Sequence, residues 1–96
     1  VIAAAGYPNE PRKGDAITKL PDEEEDCITF HAGTALEDGQ LITSGGRVLC
    51  VTALGETVRA AQKRAYDAVE EVAFEGMQFR RDIGYRALGS YVENTR

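Results

Sequence analysis

The sequence predicts an α+β domain: antiparallel strands with one α-helix packed on them. Two observations carry this. Over the first 54 residues, apolar runs of strand length alternate with Gly, Pro and Asp-Gly punctuation. After Gly55 the apolar residues recur instead at steps of three and four, the period of a helix with one buried face. A single amphipathic helix must bury its stripe against a sheet, which gives a layered arrangement.

The totals bound the function. Ninety-six residues suit one domain. A hydrophobic fraction of 43% with 28% charged residues is ordinary for a soluble protein. The net charge of −5 speaks against a nucleic-acid partner, which calls for a clustered basic face. No stretch approaches the ~18 apolar residues of a membrane span, so no membrane partner is expected. Cys27 and Cys50 each lie in an apolar, strand-like run and are expected as free thiols in a reducing cytoplasm. His31 is the only histidine and there is no CxxC pair, so no metal site is expected. The chain opens at Val1 directly into a strand-like run, and a piece of a longer protein is expected.

In order, Val1–Ala5 reads as a strand closed by Gly6. Tyr7-Pro8-Asn9-Glu10-Pro11 is a stiff loop, because two prolines fix φ and bias the residues before them to extended shapes. It presents Arg12 and Lys13, either as a basic turn or as a cationic finger toward an anion. Asp15–Leu20 alternates in part and predicts a strand, broken by Pro21. Asp22–Asp26 is five acidic residues in a row, a self-repelling block expected as a solvated loop tip. Cys27–Thr34 returns as a strand in which His31 is expected to serve as a structural hydrogen-bonding group. Asp38-Gly39 is a strong hairpin signal, and Gln40–Thr43 is the next strand. From Cys27 to Leu54 the spacing predicts a three-stranded meander. The helix is expected over residues 57–74, with either Thr57, or Gly55 with Glu56 just inside, as N-cap, Val58, Ala61, Ala65, Ala68, Val69 and Val72 as its stripe, and Gly76 as its stop. Met77 and Phe79 suggest a short edge strand.

The middle of the chain holds the leading candidate for function. Thr43-Ser44-Gly45-Gly46 is a turn that leads into Arg47 and the apolar run Val48–Leu54, which reads as a central strand covered on both faces. Arg47 is either a surface arginine of that turn or a guanidinium placed for a carboxylate or phosphate lying close to the backbone. Further along, Arg80, Arg81, Asp82 and Arg86 form either a local ion-pair cluster or a network that aims arginines toward an anion.

Six stretches taken together carry a resemblance. They are Ala4–Pro8, Arg12–Asp15, Phe30–Thr34, Gly45–Ala53, Ala61–Tyr66 and Arg80–Ala87. In this order the chain closely resembles the C-terminal domain of the phosphoribosylamine–glycine ligases, of the ATP-grasp superfamily. The resemblance implies a cytoplasmic carbon–nitrogen ligase of purine biosynthesis that joins glycine to 5-phosphoribosylamine while ATP is cleaved to ADP and phosphate. ATP and magnesium would be bound by a preceding ATP-grasp domain, and an N-terminal domain would complete the parent chain. The domain over residues 1–90, with a polar tail at 91–96, would be a small antiparallel β barrel or sandwich with one packed α-helix, similar to the C-terminal domain of biotin carboxylase, a rudiment single hybrid motif. It would close one side of the substrate cleft, carry no catalytic residue or metal, and be inactive alone. Substrate binding at the phosphoribosyl end would fall to Gly46 and Arg47, with Arg12 or Lys13. Arg81, Asp82 and Arg86 would support them from behind. In related ATP-grasp purine enzymes a second basic residue follows the arginine, and Val48 stands there instead. Two alternatives stay open: a non-catalytic interaction module, and the equivalent domain of another ATP-grasp enzyme.

Overall fold

A computed structural model describes residues 1–83. The elements are β1 (Ile2–Ala3), β2 (Cys27–His31), β3 (Thr34–Glu37), β4 (Gln40–Thr43), β5 (Arg47–Ala53), α1 (Val58–Val69) and β6 (Gln78–Phe79). The expected α+β class holds. Four strands form an antiparallel sheet in the order β2-β5-β1-β6, and β3 and β4 pair as a separate hairpin. Both sheets are open, and no closed barrel forms among the described residues.

The apolar run after Gly46 does become a central strand, β5, flanked by β2 and β1. Val48 and Leu49 are fully buried within it. They join Ile2, Ala4, Ile17, Val69, Val72 and Phe74 in one core. Burial of this kind supplies most of the folding free energy, at ~25 cal/mol per Å² of apolar surface.

The expected meander does not form. The chain breaks at Ala32-Gly33, where both amides donate to the Val48 carbonyl at 3.0 Å. That ends the pairing of β2 with β5 and releases Thr34–Glu37 to pair with β4 alone. The Asp-Gly turn joins β3 to β4 as expected, with positive φ at both Asp38 (52°) and Gly39 (80°).

Residues 15–20 are likewise not a strand. Ala16 and Lys19 make only isolated bridges, to Ile42 and Ala73. The segment is anchored instead by scattered hydrogen bonds with Leu41, Thr43 and Ala73, and Ile17 is buried.

Thr57 caps α1 as expected, its Oγ1 accepting from the Ala60 amide at 3.0 Å. The helix ends at Val69, five residues before its expected end at residue 74, and Gly76 (φ 74°) lies beyond it. Val72 and Phe74 belong to the core all the same, carried there by non-helical chain. Apolar spacing alone cannot distinguish those two routes into a core. Tail residues 91–96 lie outside the described residues.

Candidate functional site

Arg47 is the first residue of β5, and its backbone is tightly held. Ala3 pairs with it, past a register shift between Ile2 and Ala3, and the Ala4 amide donates to the Gly46 carbonyl at 2.8 Å. On the other side the Ser44 amide donates to the Gly33 carbonyl at 2.8 Å. Gly33 is required there by close approach: a Cβ on it would stand 2.5 Å from the Arg47 carbonyl oxygen and 3.0 Å from the Gly45 Cα. Gly46 is covered by Tyr7 and Pro11. The stiff loop after Gly6 therefore packs on the turn that delivers the arginine.

The Arg47 side chain is exposed, and among the described residues it makes no ion pair or side-chain hydrogen bond. It lines two adjoining clefts. One, of 550 Å³, is walled by the turn itself, with Gly33, Gly45, Gly46 and Cys50. The other, of 460 Å³, brings Arg47 together with Ala3, Tyr7, Phe79, Arg80 and Ile83.

Arg12 is engaged elsewhere. Its Nε donates to Asp15 Oδ2 at 2.7 Å, and its Nη2 reaches the Glu75 carbonyl at 3.4 Å and the Glu75 carboxylate at 3.8 Å. The Asp15 hydrogen bond, with the charge behind it, raises the Arg12 pKa above its ordinary value. Lys13 is exposed. The two residues belong to a loop docked beside the turn. The Gly14 amide donates to the Thr43 carbonyl at 2.7 Å, and the buried Thr43 Oγ1 accepts from the Asp15 amide at 3.1 Å. Neither Arg12 nor Lys13 lines the two clefts that Arg47 lines.

Around Asp82 the structure forms the local ion pair, one of the two expected readings, and Arg80 carries it. Arg80, not Arg81, grips Asp82, its Nε and Nη2 donating to the two carboxylate oxygens at 2.9 and 2.8 Å. This fork holds the Asp82 carboxyl below the usual aspartate range. Arg81 lies over the Phe79 ring, 4.7 Å from its centroid. Arg86 lies outside the described residues.

Sequence reasoning singled out Arg80 only as one of a cationic cluster, and it missed Tyr7 as a cleft residue and Gln62 and Tyr66 as the support of the Arg80–Ile83 backbone. Tyr66 Oη donates to the Arg80 carbonyl at 2.7 Å and accepts from the Ile83 amide at 2.9 Å. Gln62 Nε2 donates to the Ile83 carbonyl at 2.9 Å. A usable signal was present, since the two lie four apart on one helix face, at the border of the apolar stripe.

The remaining candidates are structural. His31 Nδ1 and Thr34 Oγ1 share a hydrogen bond of 2.9 Å. Cys27 and Cys50 are free thiols, as expected. Arg64 pairs with Glu24 and Asp26 and so ties the acidic block to α1. Among the described residues, no group of three His, Cys, Asp or Glu side chains is placed to hold a metal ion.

A family model described as the phosphoribosylglycinamide synthetase C domain matches residues 1–86. Over 88 residues the chain is 62% identical to a phosphoribosylamine–glycine ligase of Ralstonia nicotianae, covering 92% of this chain and 21% of that one. The counterpart of Pseudomonas aeruginosa is 54% identical over 89 residues, with the same coverage. A crystal structure of phosphoribosylamine–glycine ligase from Thermotoga maritima is similar with a TM-score of 0.74 and 51% identity, over 85% of this chain and 20% of that one. The chain thus spans about one fifth of the length of the relatives it matches. It belongs to the phosphoribosylglycinamide synthetase C-domain family.

Proposed function

We propose that this chain is the C-terminal domain of an ATP-dependent ligase that joins glycine to 5-phosphoribosylamine in cytoplasmic purine biosynthesis. Within that enzyme it walls the substrate cleft, with Arg47 facing the phosphate of the ribosyl substrate. The observation that carries this reading is the state of Arg47: exposed, without an ion-pair partner among the described residues, and lining two clefts from a backbone fixed by Gly33 and Gly46. A guanidinium on a rigid turn suits a phosphate dianion, because little ordering is left to be done on binding. An acidic protein must concentrate positive charge locally to hold such a ligand.

Arg12 and Lys13 contribute less directly. Arg12 keeps the loop against Asp15 and Glu75, and the loop in turn supports Thr43 and the turn. ATP and magnesium belong to the preceding domains in this reading, and the chemistry of carboxylate activation is theirs. The isolated 96-residue chain is then inactive, and ligation requires its parent.

The test is Arg47→Ala in a full-length ligase carrying this domain. The expected result is a KM for 5-phosphoribosylamine raised about tenfold to a hundredfold, the scale of one charge-assisted hydrogen bond, with the KM for ATP unchanged. An unchanged KM for 5-phosphoribosylamine discards the proposed role of Arg47.

A further inference from the structure

We infer that Tyr66 and Gln62 are positioning residues for the Arg47 cleft: α1 fixes the Arg80–Ile83 arm so that Arg80 stands on the wall as a second cation for a phosphate monoester. The inference rests on the phosphate reading of the cleft given above.

β6 ends at Phe79, and the sheet gives the following residues no ladder to hold them. Their order comes from the helix. Three hydrogen bonds of 2.7–2.9 Å run from two side chains of α1 to the backbone of Arg80 and Ile83. Tyr66 uses one hydroxyl both as donor and as acceptor, which leaves its proton a single direction. Its ring lies 6.4 Å from that of Phe79, the residue that begins this wall of the cleft. The arm is then locked a second time by the Arg80–Asp82 fork.

Such double anchoring is more than an exposed segment needs for packing, and Arg80, Asp82 and Ile83 are exposed. What it does fix is the position of Arg80 relative to Arg47, which comes from β5 on the far side of β1. Two arginines delivered by separate rigid elements can be spaced for the oxygens of one phosphate. The same arginines on a loose arm would lose that spacing to conformational entropy.

The experiment uses a full-length ligase with Tyr66→Phe, which keeps the ring and removes both hydrogen bonds. Gln62→Met, uncharged and of similar shape, provides a second variant should the first fold poorly. Each is expected to raise the KM for 5-phosphoribosylamine roughly threefold to tenfold. The KM for glycine and for ATP, and kcat, should stay within about twofold, and Arg80→Ala should raise the same KM. A double variant with Arg47→Ala should show less than the product of the single effects, because both act on one site. If Arg47→Ala raises that KM while neither α1 variant does, this inference falls and the phosphate reading stands. If all three KM values rise together with a lower melting temperature, the hydrogen bonds serve folding alone and the inference is overturned. An unchanged KM in Arg47→Ala overturns both.

Discussion

The backbone of Gly46 lies directly beneath the ring of Tyr7. A Cβ at that position would stand 2.8 Å from Tyr7 Cδ2 and 3.2 Å from Cε2, with Pro11 Cγ at 3.4 Å. The ring and the Arg47 turn are therefore one packed unit. Gly46→Ala should displace the ring and cost about 1–2 kcal/mol, the usual price of one extra methyl in a filled contact. Thermal unfolding should register this as a drop of several degrees. Tyr7→Ala, combined with Gly46→Ala, should recover part of that loss, because it removes the atoms struck. Equal melting temperatures for the wild type and Gly46→Ala would mean that the ring is not seated on the turn.

Thr43 is the one fully buried polar side chain among the described residues. Its Oγ1 accepts from the Asp15 amide at 3.1 Å and reaches the Arg12 carbonyl at 3.5 Å. Thr43→Val keeps the volume and removes the acceptor, so the Asp15 amide is left unpaired in a half-buried place. The expected loss of stability is about 1–2 kcal/mol, read by urea unfolding. The amides of Gly14 and Asp15 should also exchange faster. Thr43→Ser should restore most of the loss, since it keeps the hydroxyl.

Several of these relationships were legible in the sequence. The unbroken apolar run Val48–Val51 identified the central strand, and Thr57 identified the helix start, because both signals are local. The Arg47 turn could be singled out for the same reason, as Gly-Gly marks a place where backbones approach closely. Its cleft could not be, for Tyr7, Phe79 and Arg80 reach it from segments more than thirty residues away. The division of β2 from β3 also escaped, because Ala32-Gly33 leaves the sheet through hydrogen bonds to Val48, and nothing in the local pattern marks those bonds. Arg80 and Arg81 are indistinguishable by charge. Only their alternation along an extended segment separates the one that meets Asp82 from the one that covers Phe79.

Cys27 is buried, and its thiol pKa is raised chiefly by that burial. The neighbouring Arg64 charge acts the other way, while Glu24 and Asp26 add to the rise. Alkylation of Cys27 in the native protein should therefore be slow at neutral pH and should quicken only well into the alkaline range. Cys50, which is half-buried, provides the internal comparison for access. Arg64→Met should push the Cys27 profile further alkaline by removing the one opposing charge. Iodoacetamide labelling followed by peptide mass spectrometry checks both statements. A Cys27 labelled as fast as in the urea-unfolded chain would contradict its burial.

The Arg80–Asp82 fork makes a prediction for acid pH. The hydrogen bonds from Arg80 chiefly hold Asp82 below the ordinary aspartate pKa of ~3.9; desolvation opposes them, and the Arg80 charge adds a smaller lowering. A carboxyl lowered in this way binds its proton more readily in the unfolded chain than in the folded one. Its contribution to stability is thus complete above the ordinary aspartate range and is lost as pH falls through the lowered folded value. Since both partners are solvent-exposed, the effect on global stability is small, and the local arm is the place to look. Carboxyl resonances of Asp82 followed by NMR should titrate below those of an unpaired aspartate, and Arg80→Gln should return them to the ordinary range. Below the Asp82 midpoint the fork opens, while the bonds from Tyr66 and Gln62 to the backbone do not titrate. Protection of the Ile83 amide should accordingly persist through that transition in the wild type and be absent at every pH in Tyr66→Phe. If protection of Ile83 instead disappears together with Asp82 ionisation, the fork, and not the helix, is what holds the arm.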